Sequence, residues 1–258
     1  MMLGAPDALA GMPWELPLPS LVGTRAVGMG GAFVAVADDA SGAVYNPASL
    51  GVGRGVALFG QTNLAPRETL KFDPKGIAYR LDGVGFSWAN KIGISSDGIA
   101  DYTFTSAGSR ISSRIAVGVS AKTWRTHPYE HFQVFGNSPT YDIGVLTAPA
   151  INWRVGGRVG TLHRGRNVES ATVSVARRFP RGWIALDGDW NRPNGSSVRA
   201  GIEAALTPWS AVRAGWNGDA PTLGVGFQHS VLRVDAAWTR LRGHAFAFVG
   251  AEISFGTL

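Results

Sequence analysis

The sequence predicts an all-β chain, a transmembrane antiparallel β-barrel of about 14 strands with an N-terminal segment folded into its lumen. Three observations carry this. From about residue 54 to the C-terminus, short runs alternate apolar and polar residues and are separated by turn residues. Ahead of them, residues 22–50 (VGTRAVGMGGAFVAVADDASGAVYNPASL) are glycine-rich and do not read as a strand of this kind. Charge is sparse, at 16% of residues, and several Trp fall near the ends of the runs. A compact segment ahead of a barrel is most simply a plug.

The alternation runs unbroken, so 258 residues read as one barrel with an appended segment: 1–21 an N-terminal extension, 22–52 the plug, 53–258 the barrel. Glycine is high, at 35 residues, which in strands marks close packing or a crowded lumen. Cysteine is absent, which removes disulfides and thiolate metal sites. The net charge of +6 comes from Arg scattered singly along the runs, so nucleic acid is not an expected partner. No stretch approaches the roughly 18 apolar residues of a membrane helix, whereas a barrel strand needs only about 9–11.

Residues 1–21 have no basic start and no clean apolar core, so they do not read as a secretory signal. A barrel of the outer membrane needs one. Three expectations stay open: the signal has been removed, the true start lies upstream, or the barrel is not in a membrane.

Strand starts are expected near 55, 75, 84, 101, 113, 139, 152, 169, 183, 197, 210, 222, 231 and 245. In the run from Arg114 to Lys122, Ile115, Val117, Val119 and Ala121 share one face, and Arg114, Ala116, Gly118, Ser120 and Lys122 the other. The last run sets Ala247, Val249, Ala251, Ile253 and Phe255 against Gly250, Glu252 and Ser254. Asp82-Gly83, Pro180-Arg181-Gly182, Pro193-Asn194-Gly195, Thr207-Pro208 and Asn217-Gly218-Asp219 read as turns.

The second face is Gly, Ser, Thr and Ala with isolated Arg and Asp, which suits a narrow lumen better than an open surface. The apolar face then meets lipid. Trp88, Trp124, Trp153, Trp183, Trp190, Trp209 and Trp216 are expected in the interfacial aromatic girdles.

Within the N-terminal segment, Gly28-Met29-Gly30-Gly31 fails the dinucleotide fingerprint, because Phe33 stands where its third glycine would be and no βαβ pattern follows. Asp38 and Asp39 are expected to begin a turn or to cap a short helix through Ser41. Gly23 to Ser41, followed by Tyr45-Asn46-Pro47-Ala48-Ser49-Leu50, resembles the N-terminal hatch signature of FadL-like and PorV-like outer-membrane proteins. The resemblance implies a fourteen-stranded barrel in the bacterial outer membrane with the hatch inside, the Asn-Pro-Ala element being part of it. FadL-like proteins pass hydrophobic compounds across the outer membrane; PorV-like proteins serve secretion and surface attachment.

The candidate hatch and gating residues are Arg25, Gly28, Gly30, Gly31, Asn46, Pro47 and Ala48. Small residues let the backbone pack closely. Arg25 carries a charge into a low-dielectric space and needs a partner, for which Asp187, Asp189, Glu203, Asp235 and Glu252 are the lumen-facing candidates. Its role is to anchor the plug, with direct ligand contact the second reading. Asn46 can bond to neighbouring backbone, and Pro47 stiffens the chain before the first strand. Phe246 and Phe248 fall on the inward face as apolar lumen residues.

The loops are brief; the longest candidates are Asn63 to Asp73, Lys91 to Ala100 and His127 to Asn137, and their size weakens a long-chain lipid substrate. His127 and His131 alone do not make a metal site. There is no G-x-S-x-G and no Ser/His/acid set, so neither an enzyme nor a cofactor is expected. The expected partners are outer-membrane lipid and either small hydrophobic molecules or a secreted or surface protein. The expected function is passive transport of hydrophobic compounds gated by the hatch; the alternative is a non-transporting scaffold.

Overall fold

The computed structural model describes residues 21–64, 72–90, 101–125, 140–160, 168, 170–191, 195–241 and 244–256. Residues 1–20, most of the three long loop candidates, including both His127 and His131, and the Pro193-Asn194 turn lie outside the described residues. So does the side chain of Trp124.

Fourteen strands close into one antiparallel barrel. They are β1 (Gly55–Asn63), β2 (Lys75–Leu81), β3 (Val84–Asn90), β4 (Asp101–Ser112), β5 (Ile115–Arg125), β6 (Thr140–Ala150) and β7 (Trp153–Gly160), then β8 (Ser170–Phe179), β9 (Gly182–Asn191), β10 (Gly195–Thr207), β11 (Ser210–Trp216), β12 (Pro221–His229), β13 (Leu232–Leu241) and β14 (His244–Phe255). Every strand start falls within about two residues of its sequence expectation. Each strand pairs with its sequence neighbours, and β1 closes on β14 with Leu58 opposite Ile253 and Gln61 opposite Gly250. Closure removes the exposed edges that an open sheet would present to lipid.

The two ends of the barrel differ. At the end holding Arg54 and Phe255, six connections are two residues long, such as Asp82-Gly83 and Ser230-Val231. Gly83 has φ 84°, as a two-residue hairpin requires. The other end carries the longer connections, 64–74 among them.

The alternation places apolar side chains outward. Phe86, Ile143, Val173, Ile184, Leu223 and Phe227 are exposed on the barrel exterior. Inward positions of the same strands are buried Gly, Ala, Ser, Thr and charged residues. This inside-out pattern is that of a transmembrane barrel: acyl chains solvate the belt, and polar groups are confined to the lumen. Trp153, Trp190, Trp209, Trp216 and Trp238 are exposed on it, as a girdle requires. Trp183 corrects the expectation. It is 5% exposed and points inward, because Ile184 and Leu186 take the outward positions of β9 and alternation leaves 183 on the lumen face.

Candidate functional site: a barrel interior filled by the N-terminal segment

Residues 21–51 occupy the lumen. Every residue of this stretch is buried except Asp38, which is partly so. It folds as a short helix α1 (Thr24–Gly28), a second one-turn helix α2 (Gly42–Tyr45) and a 3-10 turn (Pro47–Gly51), joined by irregular chain. Such irregular backbone at membrane depth survives only where protein satisfies its polar groups. The wall does so. Asp187 accepts from the Phe33 and Val34 N–H groups at 3.1 and 3.3 Å. Ser174 Oγ accepts from Ala35 N–H at 3.0 Å, and Glu252 accepts from Ala40 N–H at 3.1 Å. Arg154 and Gln61 donate to the Val36 and Leu21 carbonyls at 2.8 Å each, and Thr222 donates to the Gly28 carbonyl at 3.0 Å.

Glycine decides where the segment lies. Register places Gly85 opposite Gly108, Gly108 opposite Gly118, and Gly118 opposite Gly144. These four form one inward-facing row across β3, β4, β5 and β6, and the Asn46–Leu50 turn rests on it. A Cβ added at Gly85 or Gly108 would strike Leu50, one at Gly108 or Gly118 would strike Pro47, and one at Gly144 would strike the Asn46 amide. On the opposite wall, Gly28 and Gly224 meet so closely that a Cβ on Gly28 would stand 3.0 Å from the Gly224 Cα. Gly30 (φ 68°) and Gly31 (φ 70°) turn the chain there, against Gly201 and Gly215.

Asn46 links the segment to itself and to the wall. Its Nδ2 donates to the Val34 and Val145 carbonyls at 3.1 and 2.9 Å, and its Oδ1 accepts from Ala48 N–H at 3.1 Å as the cap of the 3-10 turn. Pro47 takes the first position of that turn, where its missing N–H costs nothing. Ala48 is fully buried. Tyr45 donates to the Val22 carbonyl at 2.7 Å and lies edge-on to Phe33, with ring centroids 5.2 Å apart.

Arg25 is paired by Glu203, one of its five expected partners. Its Nε and Nη2 reach the two Glu203 oxygens at 2.7 and 2.8 Å, a bidentate fork. Two further partners were missed by sequence reasoning: Asp38, thirteen residues on, accepts from Nη1 at 2.5 Å, and Asp39 lies 3.5 Å from the same nitrogen. Glu203 also accepts from Arg213 Nε at 2.6 Å. Asp187, Asp189, Asp235 and Glu252 do not contact Arg25 and have other partners. Asp189 pairs with Arg199 at 2.7 Å, Asp235 with Arg213 and Arg233 at 2.8 and 2.9 Å, and Glu252 with Arg233 at 2.8 Å. Arg233 also reaches Asp39 at 3.1 Å. One network therefore runs from the segment (Arg25, Asp38, Asp39) into β10, β11, β13 and β14.

Asp39 does begin a turn: its carboxylate accepts from the Ser41 N–H at 3.0 Å. The capping alternative is not what forms. Ser41 stands at the N-cap of α2, but its hydroxyl donates to Asp39 and makes no cap bond.

Phe246 and Phe248 point inward near the long-loop end and are stacked at 6.0 Å. Phe72 meets Phe248 edge-on at 6.2 Å. Phe104 is buried on β4 near the same end. Aromatic surface thus gathers at the long-loop end on the β14–β4 side, while the ion network lies deeper. Toward the short-turn end a cavity of about 330 Å³ opens between Arg25, Asp38, Trp183, Glu203 and Arg213. Among the described residues no cluster of His, Asp and Glu suits a metal.

The fold is shared with known outer-membrane barrels. The structure matches the toluene transporter TbuX of Ralstonia pickettii with a TM-score of 0.65 at 11% identity, over 91% of this chain and 98% of that one. It matches the Pseudomonas putida toluene transporter TodX with a TM-score of 0.55 at 11% identity, over 89% and 96%. For the outer membrane protein Omp33 of Acinetobacter baumannii the TM-score is 0.55 at 9% identity, over 80% and 100%. No family model and no curated protein matches the chain. At these identities the likeness is one of fold.

Proposed function

We propose that this chain is a channel of the bacterial outer membrane for small hydrophobic compounds, gated by its N-terminal segment. The short turns face the periplasm and the longer connections the exterior, the usual arrangement of outer-membrane barrels. The observation that carries the reading is the inward aromatic group Phe72, Phe246 and Phe248 at the outer end, above a segment that fills the lumen. These rings are buried, so a hydrophobic molecule must part them to gain their apolar contacts, and it travels no further until the segment yields. The toluene transporters of the same fold support this reading.

The test is deletion of residues 22–50, with folding checked by heat-modifiable gel migration. The intact protein is expected to raise toluene uptake by a Gram-negative host, and the deletion to raise uptake or conductance further. A deletion protein no more permeable than the intact one removes the gate from this account. The burial of nearly every residue from 21 to 51 also suits a second reading, a non-transporting scaffold for a secreted or surface protein. That reading predicts a co-purifying partner and no toluene uptake.

A further inference from the structure

Arg177 faces outward at the short-turn edge of the apolar belt. Alternation along β8 turns it to the same side as the exposed Val173. Register sets it between Trp153 of β7 and Ile184 of β9, so a guanidinium stands in an otherwise apolar outward row. It lies over the Trp153 ring, 5.4 Å from the centroid. Arg177 is two residues short of the end of β8, about 7 Å along the strand from the turn. Arg181 in the β8–β9 turn and Arg114 in the β4–β5 turn are exposed on the same arc of the rim. Between them the β6–β7 turn projects Ile151, which is 88% exposed, next to Trp153. The turns of the other arc, Pro208-Trp209 and Ser230-Val231, carry no charge. Among the described turn residues of this rim the one carboxylate is Asp82, across the barrel, where Arg54 and Arg110 engage it. No described carboxylate pairs with Arg114, Arg177 or Arg181.

An unpaired cation facing acyl chains is costly, and arginine relieves the cost by extending its stem to headgroup level. There a lipid phosphate meets the planar donors of the guanidinium. Trp153 and Ile151 supply the apolar contact that the glycerol and upper acyl carbons of the same lipid require. A zwitterionic headgroup offers its phosphate with a cation attached, which three neighbouring arginines disfavour. A headgroup of net negative charge has no such conflict. An acidic protein would have to reach past Ile151 and Trp153 into the belt, whereas lipid already stands there.

We propose that this arc of the rim, from β4 to β9, binds the headgroup of an anionic phospholipid. Arg177 is the phosphate contact, Arg181 and Arg114 are the flanking charges, and Trp153 is the apolar platform. With the short turns toward the periplasm, the lipid belongs to the inner leaflet of the outer membrane. The site lies outside the lumen, so it is independent of whether anything passes through the channel.

The experiment reconstitutes the full chain in nanodiscs of equimolar phosphatidylglycerol and phosphatidylcholine and counts the lipid retained after release by native mass spectrometry. Heat-modifiable migration confirms a closed barrel in each variant. A basic residue near an anionic surface contributes roughly fivefold to binding, so the wild type should retain phosphatidylglycerol over phosphatidylcholine by at least about tenfold. Arg177→Gln combined with Arg181→Gln should bring that preference to within about twofold of parity. Arg54→Gln removes a turn-end arginine paired with Asp82 across the rim and should leave the preference within about twofold of wild type. Equal retention of the two lipids by the wild type overturns the proposal. So does a preference that survives the double substitution, or one that Arg54→Gln reduces as far, which would assign it to the overall charge of the protein.

Discussion

Replacing Glu203 by Gln should loosen the N-terminal segment without opening the barrel. Glu203 lies on β10, whose ladder to β9 and β11 is made by backbone and does not involve the carboxylate. The carboxylate joins two cations, Arg25 from the segment and Arg213 from β11, through three charge-assisted bonds of 2.6 to 2.8 Å. Glutamine keeps the shape and one acceptor oxygen but removes the charge. Removing one partner of a buried ion pair costs about 3–5 kcal/mol, because the other charge is left uncompensated. Asp38 still faces Arg25 and Asp235 still faces Arg213, so the lower end of that range applies. If about 3 kcal/mol is lost from the closed state alone, the open fraction rises roughly 150-fold.

The assay is hydrogen exchange read by mass spectrometry over residues 22–40 of the segment, with the strand peptides as internal reference. Protection over the segment should fall by about two orders of magnitude while protection of β9 and β10 holds. A double-mutant cycle with Arg25→Gln should return a coupling energy above about 1 kcal/mol, as expected for residues in one network. If segment protection in Glu203→Gln stays within about threefold of wild type, or if strand protection falls with it, the ion network is not what fixes the segment.

Two further predictions address the seat and the turn end. Gly118→Val puts a branched side chain where Pro47 and Ala48 now lie, so the Asn46–Leu50 turn should lift off the wall; a protease or exchange footprint over 42–52 should open in this variant, and an unchanged footprint would show that the glycine row is not the seat. Asp82, in the exposed β2–β3 turn, accepts from Arg54 and Arg110, and those bonds hold its carboxyl below the usual carboxylate range. Its folded value is depressed, so its contribution is present above about pH 4 and is lost as pH falls through the folded value; a carboxyl titration by NMR should give a midpoint below that of a free Asp, and one that Arg54→Gln raises.

The barrel was legible because its signal is repeated. Strand after strand shows the same two faces, and a turn residue resets each one. Phe246 and Phe248 fell on the predicted inward face for the same reason: β14 runs to Phe255 without a bulge, so parity holds along it. Trp183 departs from its girdle expectation because Ile184 and Leu186 take the outward positions of β9, which leaves 183 on the lumen face; nearness to a strand end does not fix the face. The site was legible only in part. That Arg25 required a carboxylate followed from burial, and Glu203 was among the candidates. The choice among five candidates depends on barrel register and on where the segment lies, which no local pattern encodes. Asp38 reads from sequence as a turn or capping residue, and its pairing with Arg25 is not legible, because a segment without periodicity gives no rule for which of its own residues fold back on one another. The Gly85–Gly108–Gly118–Gly144 row was legible in part: each glycine stands at an inward position of its strand, and the short β4–β5 turn brings Gly108 level with Gly118, but β3–β4 and β5–β6 are joined by long connections, so the rest of the row needs the barrel register.

That row and the ion network bear differently on opening. The glycine seat holds the Asn46–Leu50 turn by shape: its contacts are short-ranged and are lost together once the turn lifts. The ion network holds α1 and Asp38–Asp39 by charge, and its partners on β10, β11, β13 and β14 are themselves paired to one another. Arg213 keeps Asp235 and Arg233 keeps Glu252 when the segment leaves, so the wall it uncovers is already largely neutral. The departing segment carries Arg25, Asp38 and Asp39, which can pair among themselves at the distances they hold now, 2.5 and 3.5 Å. Movement of this end therefore strands few charges, and Glu203, whose second oxygen is bound by Arg25 alone, loses most. The seat is where opening costs shape; Glu203 is where it costs charge. Substitutions at Gly118 and Glu203 should accordingly act on different halves of the segment, 42–52 and 22–40, and hydrogen exchange resolved along the segment separates the two.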